Sequence, residues 1–314
     1  MNIGIDMGGT TTKIGIVDEQ GKVLCKTSVK TAAYPVLDDY VKALSLALQP
    51  LVQEVGGMKN IKGIGAGVPN GNFYTGNIEF APNLPWKGTV PFAKAVSEEF
   101  GLPCVITNDA NAAALGEMTY GVAKGMKNFI MITLGTGVGS GIVVNGELLY
   151  GHDGFAGELG HVIVEKNGRL CGCGRKGCLE TYASATGVVR TARELLQESK
   201  MPSILRQSKI DEITSKEVFE VAMQGDELAK QVFSFTGKVL GEAFANFVAF
   251  SAPEAIVLFG GLAKAGDLLM NPLRESMEEN LLAIWKGKVK LLFSHLPKDD
   301  AAVMGAASLV FAKG

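Results

Sequence analysis

The chain has 314 residues, 47% of them hydrophobic and 20% charged, with a formal net charge of −2 at pH 7. Such a length predicts about two domains with sizeable cores, and the near-neutral charge excludes a broad basic footprint for nucleic acid or a membrane surface. No apolar run approaches the ~18 residues of a membrane span, and the opening MNIGIDMGG lacks the basic and long apolar regions of a signal peptide, so a cytoplasmic location is expected.

The first thirty residues predict three short strands. NIGID and TKIGIVD flank the turn MGGTT, and KVLCKTSVK follows the turn at Glu19-Gln20-Gly21. Val36, Leu37, Tyr40, Val41, Leu44, Leu48, Leu51 and Val52 share one face at helical spacing, which predicts a helix over 36–55. IKGIGAGVP reads as a buried strand ending in a Gly/Pro turn. PCVITND is another, running directly into a helix, NAAALGEMTYG. The segment FIMITLGTGVGSGIVVNGELL then repeats the opening: a shift of 127 residues lays Gly8 on Gly135, and Ile16-Val17 on Val143-Val144. A repeated strand, glycine turn, strand and tight turn predicts an internal duplication, with two related α/β domains facing each other across a cleft. Helices are expected at 186–198, 215–223 and 226–250, then a buried strand at EAIVLFGG, a helix near 267–281 and a strand at VKLLFS. DDAAVMGAASLVFA closes the chain as a helix placed to cross back onto the first domain.

Asp6-Met7-Gly8-Gly9-Thr10 ends its strand in a turn whose two glycines permit close backbone approach. The hydroxyls of Thr10–Thr12 and the exposed amides suit phosphate oxygens, and Asp6 suits Mg²⁺ held through water. A tight hairpin turn would account for one copy alone. The matching Gly135-Thr136-Gly137-Val138-Gly139 makes a pair, which points to two phosphate clamps. Neither is a P-loop, since no G-K-[ST] follows, and a strand rather than a helix follows each turn, unlike a Rossmann fingerprint. Asn108-Asp109 sits where a strand stops and a helix begins. An aspartate there can simply cap the helix, or it can accept the proton of an attacking hydroxyl beside a phosphate clamp. Gly260-Gly261, after EAIVLF, is either a helix-entry turn or an unobstructed seat for a nucleotide base or ribose.

Within eighteen residues stand His161, Cys171, Cys173 and Cys178, with Glu158 and Glu180 on either side. Three thiolates and one imidazole fit a four-coordinate structural zinc site with no open position. The two acids are not needed for that site, so a substrate is the expected reason for them. Cys25 and Cys104 read as buried free thiols, and His152 and His295 as isolated histidines.

Taken together, these segments resemble the ROK family of sugar kinases and regulators, over nearly the whole chain. DMGGT and TLGTGVGSGIVVNG are similar to its two phosphate motifs, NDANAAALGE to its catalytic segment, GELGH to its sugar and zinc motif, and CGCGRKGCLETYAS to its cysteine signature. GVPNG and the APNLPW loop are similar to its sugar-site segments. The cysteine signature is specific to the family, whereas the glycine turns are shared with actin-like and hexokinase-like proteins. The run CLETYASATG is most similar to the bacterial glucokinases of this family.

The resemblance implies an α/β fold of the actin-like (ribonuclease H-like) duplicated type, with 1–117 plus 299–314 as the small domain and 118–298 as the large one. It implies Asp109 as general base, and Asn83, Asn108, Asp109, Glu158, His161 and Glu180 as partners of the sugar. Asp6, Gly8, Gly9, Thr10, Thr11, Lys13, Gly135, Thr136, Gly137, Gly260 and Gly261 would hold ATP with Mg²⁺. His161, Cys171, Cys173 and Cys178 would hold a structural Zn²⁺. The implied reaction is phosphorylation of D-glucose to glucose 6-phosphate in glycolysis, by a homodimer or homotetramer with no nucleic-acid or membrane partner. Three other readings stand beside it: a kinase for N-acetylmannosamine, N-acetylglucosamine or fructose, a sugar-sensing repressor, and a zinc-ribbon binding module. A repressor of the family carries a helix-turn-helix ahead of the first glycine turn, for which the five residues before Asp6 leave no room. A pure binding module would need no phosphate clamp.

Overall fold

The structure, a computed structural model, describes residues 1–297 and 300–311. The chain forms two compact units: Met1–Lys127 with Gly141–Gly157 and Ser294–Gly314, and Asn128–Ser140 with Glu158–Phe293. The boundary expected between 298 and 299 lies outside the described residues.

In the first unit, β1 (Asn2–Met7), β2 (Thr12–Val17) and β3 (Val23–Val29) make an antiparallel meander. α1 (Leu37–Glu54) follows, burying Tyr40, Val41, Leu44, Leu48, Leu51 and Val52 of the expected face, whereas Val36, expected on it too, is the exposed N-cap, and Leu37 is only partly buried. Next come β4 (Ile64–Gly67), the short pair β5 (Ile78–Glu79) and β6 (Thr89–Val90), α2 (Phe92–Phe100) and β7 (Cys104–Thr107). β4 lies parallel to β1 and β7 parallel to β4, so the sheet order is β3-β2-β1-β4-β7. β1 and β4 are buried almost throughout, as parallel strands covered on both faces must be. α3 (Asp109–Tyr120) leaves β7 after a single residue, and its Ala-rich stretch from Ala110 to Glu117 is wholly buried.

The second sheet repeats the plan. β8 (Phe129–Leu134) lies on β1 residue for residue under the 127-residue shift. β9 (Val138–Val144), within which the division into units falls, pairs with the short β10 (Glu147–Leu148). The second unit then has α4 (Glu180–Ala183), α5 (Ala185–Glu198), α6 (Ser215–Met223), α7 (Glu227–Ser251), β11 (Ala255–Phe259), α8 (Asp267–Asn280) and β12 (Lys290–Phe293). β11 is parallel to both β8 and β12, giving the order β10-β9-β8-β11-β12. The two orders correspond strand for strand, so the duplicated motif belongs to a duplicated sheet. α9 (Ala301–Phe311) packs on β1, β4 and α3 of the first unit. Among the described residues no helix is long and apolar enough to cross a membrane.

Candidate active site

The register of β1 on β2 sets Asp6 opposite Lys13 and Met7 opposite Thr12. The Gly8 amide donates to the Thr11 carbonyl at 3.0 Å, closing a turn that leaves Thr10 and Thr11 exposed. A Cβ on Gly9 would stand 2.5 Å from the Asn83 carbonyl oxygen, so only glycine lets the Asn83 loop touch the turn. Thr12 departs from the expectation that three hydroxyls serve a ligand. It is fully buried, and its hydroxyl is shared with those of Thr31 at 2.9 Å and Tyr40 at 2.6 Å. Strand alternation turns it inward, where it braces the turn.

The corner between β7 and α3 is held from both sides. Asn108 is the N-cap, its Oδ1 accepting from the Asn111 amide at 2.7 Å, and the buried Thr107 hydroxyl accepts from Asn111 Nδ2 at 3.1 Å. Asp109 is therefore not the cap. It is the first helical residue, with its Oδ1 accepting from the Ala110 amide at 2.9 Å. The side chain stays accessible to solvent, yet the protein around it desolvates the carboxylate and raises its pKa against the pull of nearby amides. Asp6 is pushed up to about 6, by burial first and then by the negative charge of Asp109, with Lys13 opposing. Asp109 thus lies close enough to Asp6 for its charge to be felt there.

In the second unit the Gly135 amide donates to the Gly137 carbonyl at 3.0 Å. The start of α5 clamps this turn, since the Ala185 amide donates to the Gly135 carbonyl at 2.8 Å and the Thr186 hydroxyl to the Thr136 carbonyl at 3.0 Å. A Cβ on Gly137 would stand 2.2 Å from Glu180 Oε2, and that oxygen accepts from the Val138 amide at 3.1 Å. Oε1 of the same carboxylate is 3.6 Å from Cys171 Sγ. Glu180 therefore bridges the glycine turn and the cysteine cluster. Gly260, at φ +110, backs onto the end of β8 at Leu134, whereas a Cβ on Gly261 would meet nothing within 4 Å. Beside Thr136 opens a cavity of about 640 Å³ lined by Thr186, Val189, Arg190, Arg193 and Thr214.

The GELGH segment is seated on β9: the Leu159 amide donates to Ser140 Oγ at 3.1 Å, and a Cβ on Gly160 would stand 2.0 Å from the Val138 carbonyl oxygen. His161 Nδ1 lies 3.7 Å from Cys171 Sγ, and the Cys173 and Cys178 sulfurs are 3.7 Å apart. All four ligand atoms fall within 4.8 Å of one another. Tetrahedral zinc, with Zn–S about 2.3 Å and Zn–N about 2.0–2.1 Å, needs ligand-to-ligand edges of about 3.5–3.8 Å, so the donor set fits that ion. Glu158 is exposed, and its carbonyl accepts from the His161 amide at 3.0 Å; His152 and His295 are exposed residues outside the cluster.

The structure thus groups Asp6, Gly8 to Thr11, Lys13, Asn83, Asn108 and Asp109 in the first unit. It groups Gly135 to Gly137, Glu158, His161, the three cysteines, Glu180, Gly260 and Gly261 in the second. Nothing in the motif spacing marks Ser140 or the Val138 amide as parts of the site. The two-residue alternation along β9, which turns Ser140 inward, is the one signal that could have found it.

A duplicated α/β fold with a glycine turn after the first strand of each sheet is the actin-like ATPase type. The chain belongs to the ROK family, which matches residues 2–313. It is similar to a glucokinase of Halalkalibacterium halodurans, 38% identical over 98% of this chain and 94% of that one. It is also similar to a xylose repressor of Caldicellulosiruptor bescii, 30% identical over 98% of this chain and 77% of that one. Among solved structures it resembles a ROK family glucokinase from Streptomyces griseus in complex with glucose and AMPPNP. That match has 34% identity and a TM-score of 0.80, covering 100% of this chain and 99% of that one.

Proposed function

We propose that this chain is a sugar kinase that transfers the γ-phosphoryl group of ATP to a hexose, D-glucose first, forming glucose 6-phosphate. The observation that carries the reading is Asp109: a carboxylate relieved of capping by Asn108, raised in pKa by desolvation, and close to Asp6 beside the first glycine turn. The similarity to glucokinases over nearly the whole chain supports the same reading.

In this reaction the sugar 6-hydroxyl gives its proton to the Asp109 carboxylate as its oxygen attacks the γ-phosphorus. The new O–P bond forms while the bond from that phosphorus to the β–γ bridging oxygen breaks, and ADP leaves with that bond's electron pair. A base whose pKa has moved toward neutrality takes the proton more readily than an ordinary carboxylate. The amides and hydroxyls of Gly8, Gly9, Thr10 and Thr11, with the Gly135–Gly137 turn, suit the phosphoryl oxygens, and Lys13 adds positive charge. The cavity beside Thr136 has the size of a nucleoside pocket, and Gly260-Gly261 leaves room for a base or ribose. Mg²⁺ bound with the nucleotide, near Asp6, would neutralise phosphate charge.

Asn83, Asn108, Glu158 and Glu180 are assigned to sugar hydroxyls, with His161 using Nε2 because Nδ1 faces the sulfurs. Zn²⁺ on four protein ligands has no open position, so its contribution would be to fix His161 and the loop around it. A kinase for N-acetylmannosamine, N-acetylglucosamine or fructose is the runner-up, separated only by the walls around the 2-position. The 30% identity to a repressor keeps a sugar-sensing role as a second reading.

The test is ADP release from ATP against a panel of hexoses and N-acetylhexosamines, with the phosphorylated position assigned by ³¹P NMR. Glucose turnover at the 6-position is expected to exceed the others. Preference for an N-acetylhexosamine would move the assignment to the runner-up, and sugar binding without any turnover would favour the sensor.

A further inference from the structure

Arg169 lies in the loop between His161 and Cys171, with its side chain only 8% exposed, and phosphoryl transfer has no use for a cation there. A buried guanidinium is costly unless its donors are matched. Here they are matched by α4 and α5. Nη1 donates to the Thr181 carbonyl at 2.8 Å, while Nη2 donates to the Thr191 hydroxyl at 2.9 Å and to the Glu194 carboxylate. The guanidinium carbon lies 4.5 Å from the ring centroid of Tyr182 and 5.8 Å from that of Phe235 on α7.

The backbone of the same residue joins in. Its amide donates to the Tyr182 hydroxyl at 2.9 Å, and its carbonyl accepts from the Gly177 amide at 2.8 Å. One residue therefore ties both arms of the cysteine loop to three helices. Thr181, which Arg169 grips, is the neighbour of Glu180, and Gly177 is the neighbour of Cys178. Any slack at Arg169 would reach the carboxylate on the Val138 amide and the sulfurs of the donor set together.

We propose that Arg169 is the positioning residue of the acceptor side: its guanidinium, backed by Glu194, docks the cysteine loop on α4 and α5 and so fixes Glu180 and the four metal ligands. This rests on the reading of Glu180 and His161 as sugar partners and of the cysteines as zinc ligands. Lysine would not substitute, because one ammonium cannot reach a carbonyl, a hydroxyl and a carboxylate in one plane while stacking on a ring.

The test uses the purified zinc-loaded protein and the variants Arg169→Met, Arg169→Lys and Glu194→Gln. Two readouts are taken: transfer of zinc to a chelating dye, which needs no turnover, and the separate KM values for glucose and ATP. Arg169→Met is expected to release zinc faster and raise the glucose KM, each by about tenfold to a hundredfold, with the ATP KM unchanged. Arg169→Lys should recover only a small part of either change. Glu194→Gln, a change of near-equal size at a half-exposed position, should shift both in the same direction by a few-fold, which keeps the test available should Arg169→Met fail to fold. Wild-type zinc release and glucose KM in Arg169→Met would overturn the proposal, as would full recovery by lysine or an equal rise in both KM values. Because dye transfer is independent of catalysis, it judges Arg169 even if glucose proves not to be the acceptor.

Discussion

The two glycine turns share a backbone plan and differ in what the chain sets around them. At the first, the negative charge of Asp109 acts on Asp6 with Lys13 opposing it, and both carboxylates are raised in pKa. At the second, the nearest carboxylate, Glu180, is engaged by the Val138 amide and Cys171, and its surroundings are a cysteine loop buttressed by Arg169. Duplication supplied two matching glycine turns. Divergence then put a desolvated carboxylate beside one and a cysteine loop beside the other. In the first unit that came from joining α3 to β7 through a single capping asparagine. In the second it came from the long loop between β10 and α4.

If this division of labour holds, the variant with the greatest effect lies at the first turn. Asp109→Asn should lower kcat by about 10²–10⁴-fold while sugar affinity stays near that of the wild type, as measured by steady-state kinetics and calorimetry. At the second turn, Cys173→Ser should lose its zinc by metal analysis and raise the glucose KM by about 10–100-fold, with kcat at saturating sugar little changed. Glu180→Gln is a milder change, replacing a charged acceptor with a neutral one. It should raise the glucose KM by about tenfold, or about 1.4 kcal/mol, and the ATP KM by less; the reverse ranking would place Glu180 at the donor instead.

The smallest effect concerns pH. Asp6 titrates near 6 in the fold against 3.8 as its ordinary value, so between these the folded chain holds a proton that the unfolded chain has released. Stability therefore falls as pH rises through that window, and Asp6→Asn should melt at a higher temperature than the wild type at pH 7. A melting temperature unchanged or lowered at pH 7 would remove Asp6 from the groups that the fold desolvates.

What was legible in the sequence was what is local or periodic. The duplicated strand and turn could be read because β1 and β8 align residue for residue, and the His/Cys cluster because its members are near neighbours in the chain. α2 escapes the sequence reading, although Phe92, Val96 and Phe100 recur every four residues, because nine residues after a proline give few periods to count. The start of α3 is also missed by two residues, since the Asn108 cap decides it rather than the apolar pattern. Glu180 is visible as an acid near the cysteines, but its bond to Val138, 42 residues away, is tertiary and leaves no trace in spacing. Arg169 looks like one more basic residue in a polar loop until its partners on α4, α5 and α7 are seen.

The most direct measurement is glucose affinity and kcat on Asp109→Asn and Cys173→Ser side by side, with zinc content recorded for each. The expected result is crossed: Asp109→Asn binds glucose like the wild type but scarcely turns over, and Cys173→Ser binds glucose weakly but turns over once saturated. If both variants lose affinity and turnover in equal measure, the two turns do not divide the work between proton transfer and sugar holding.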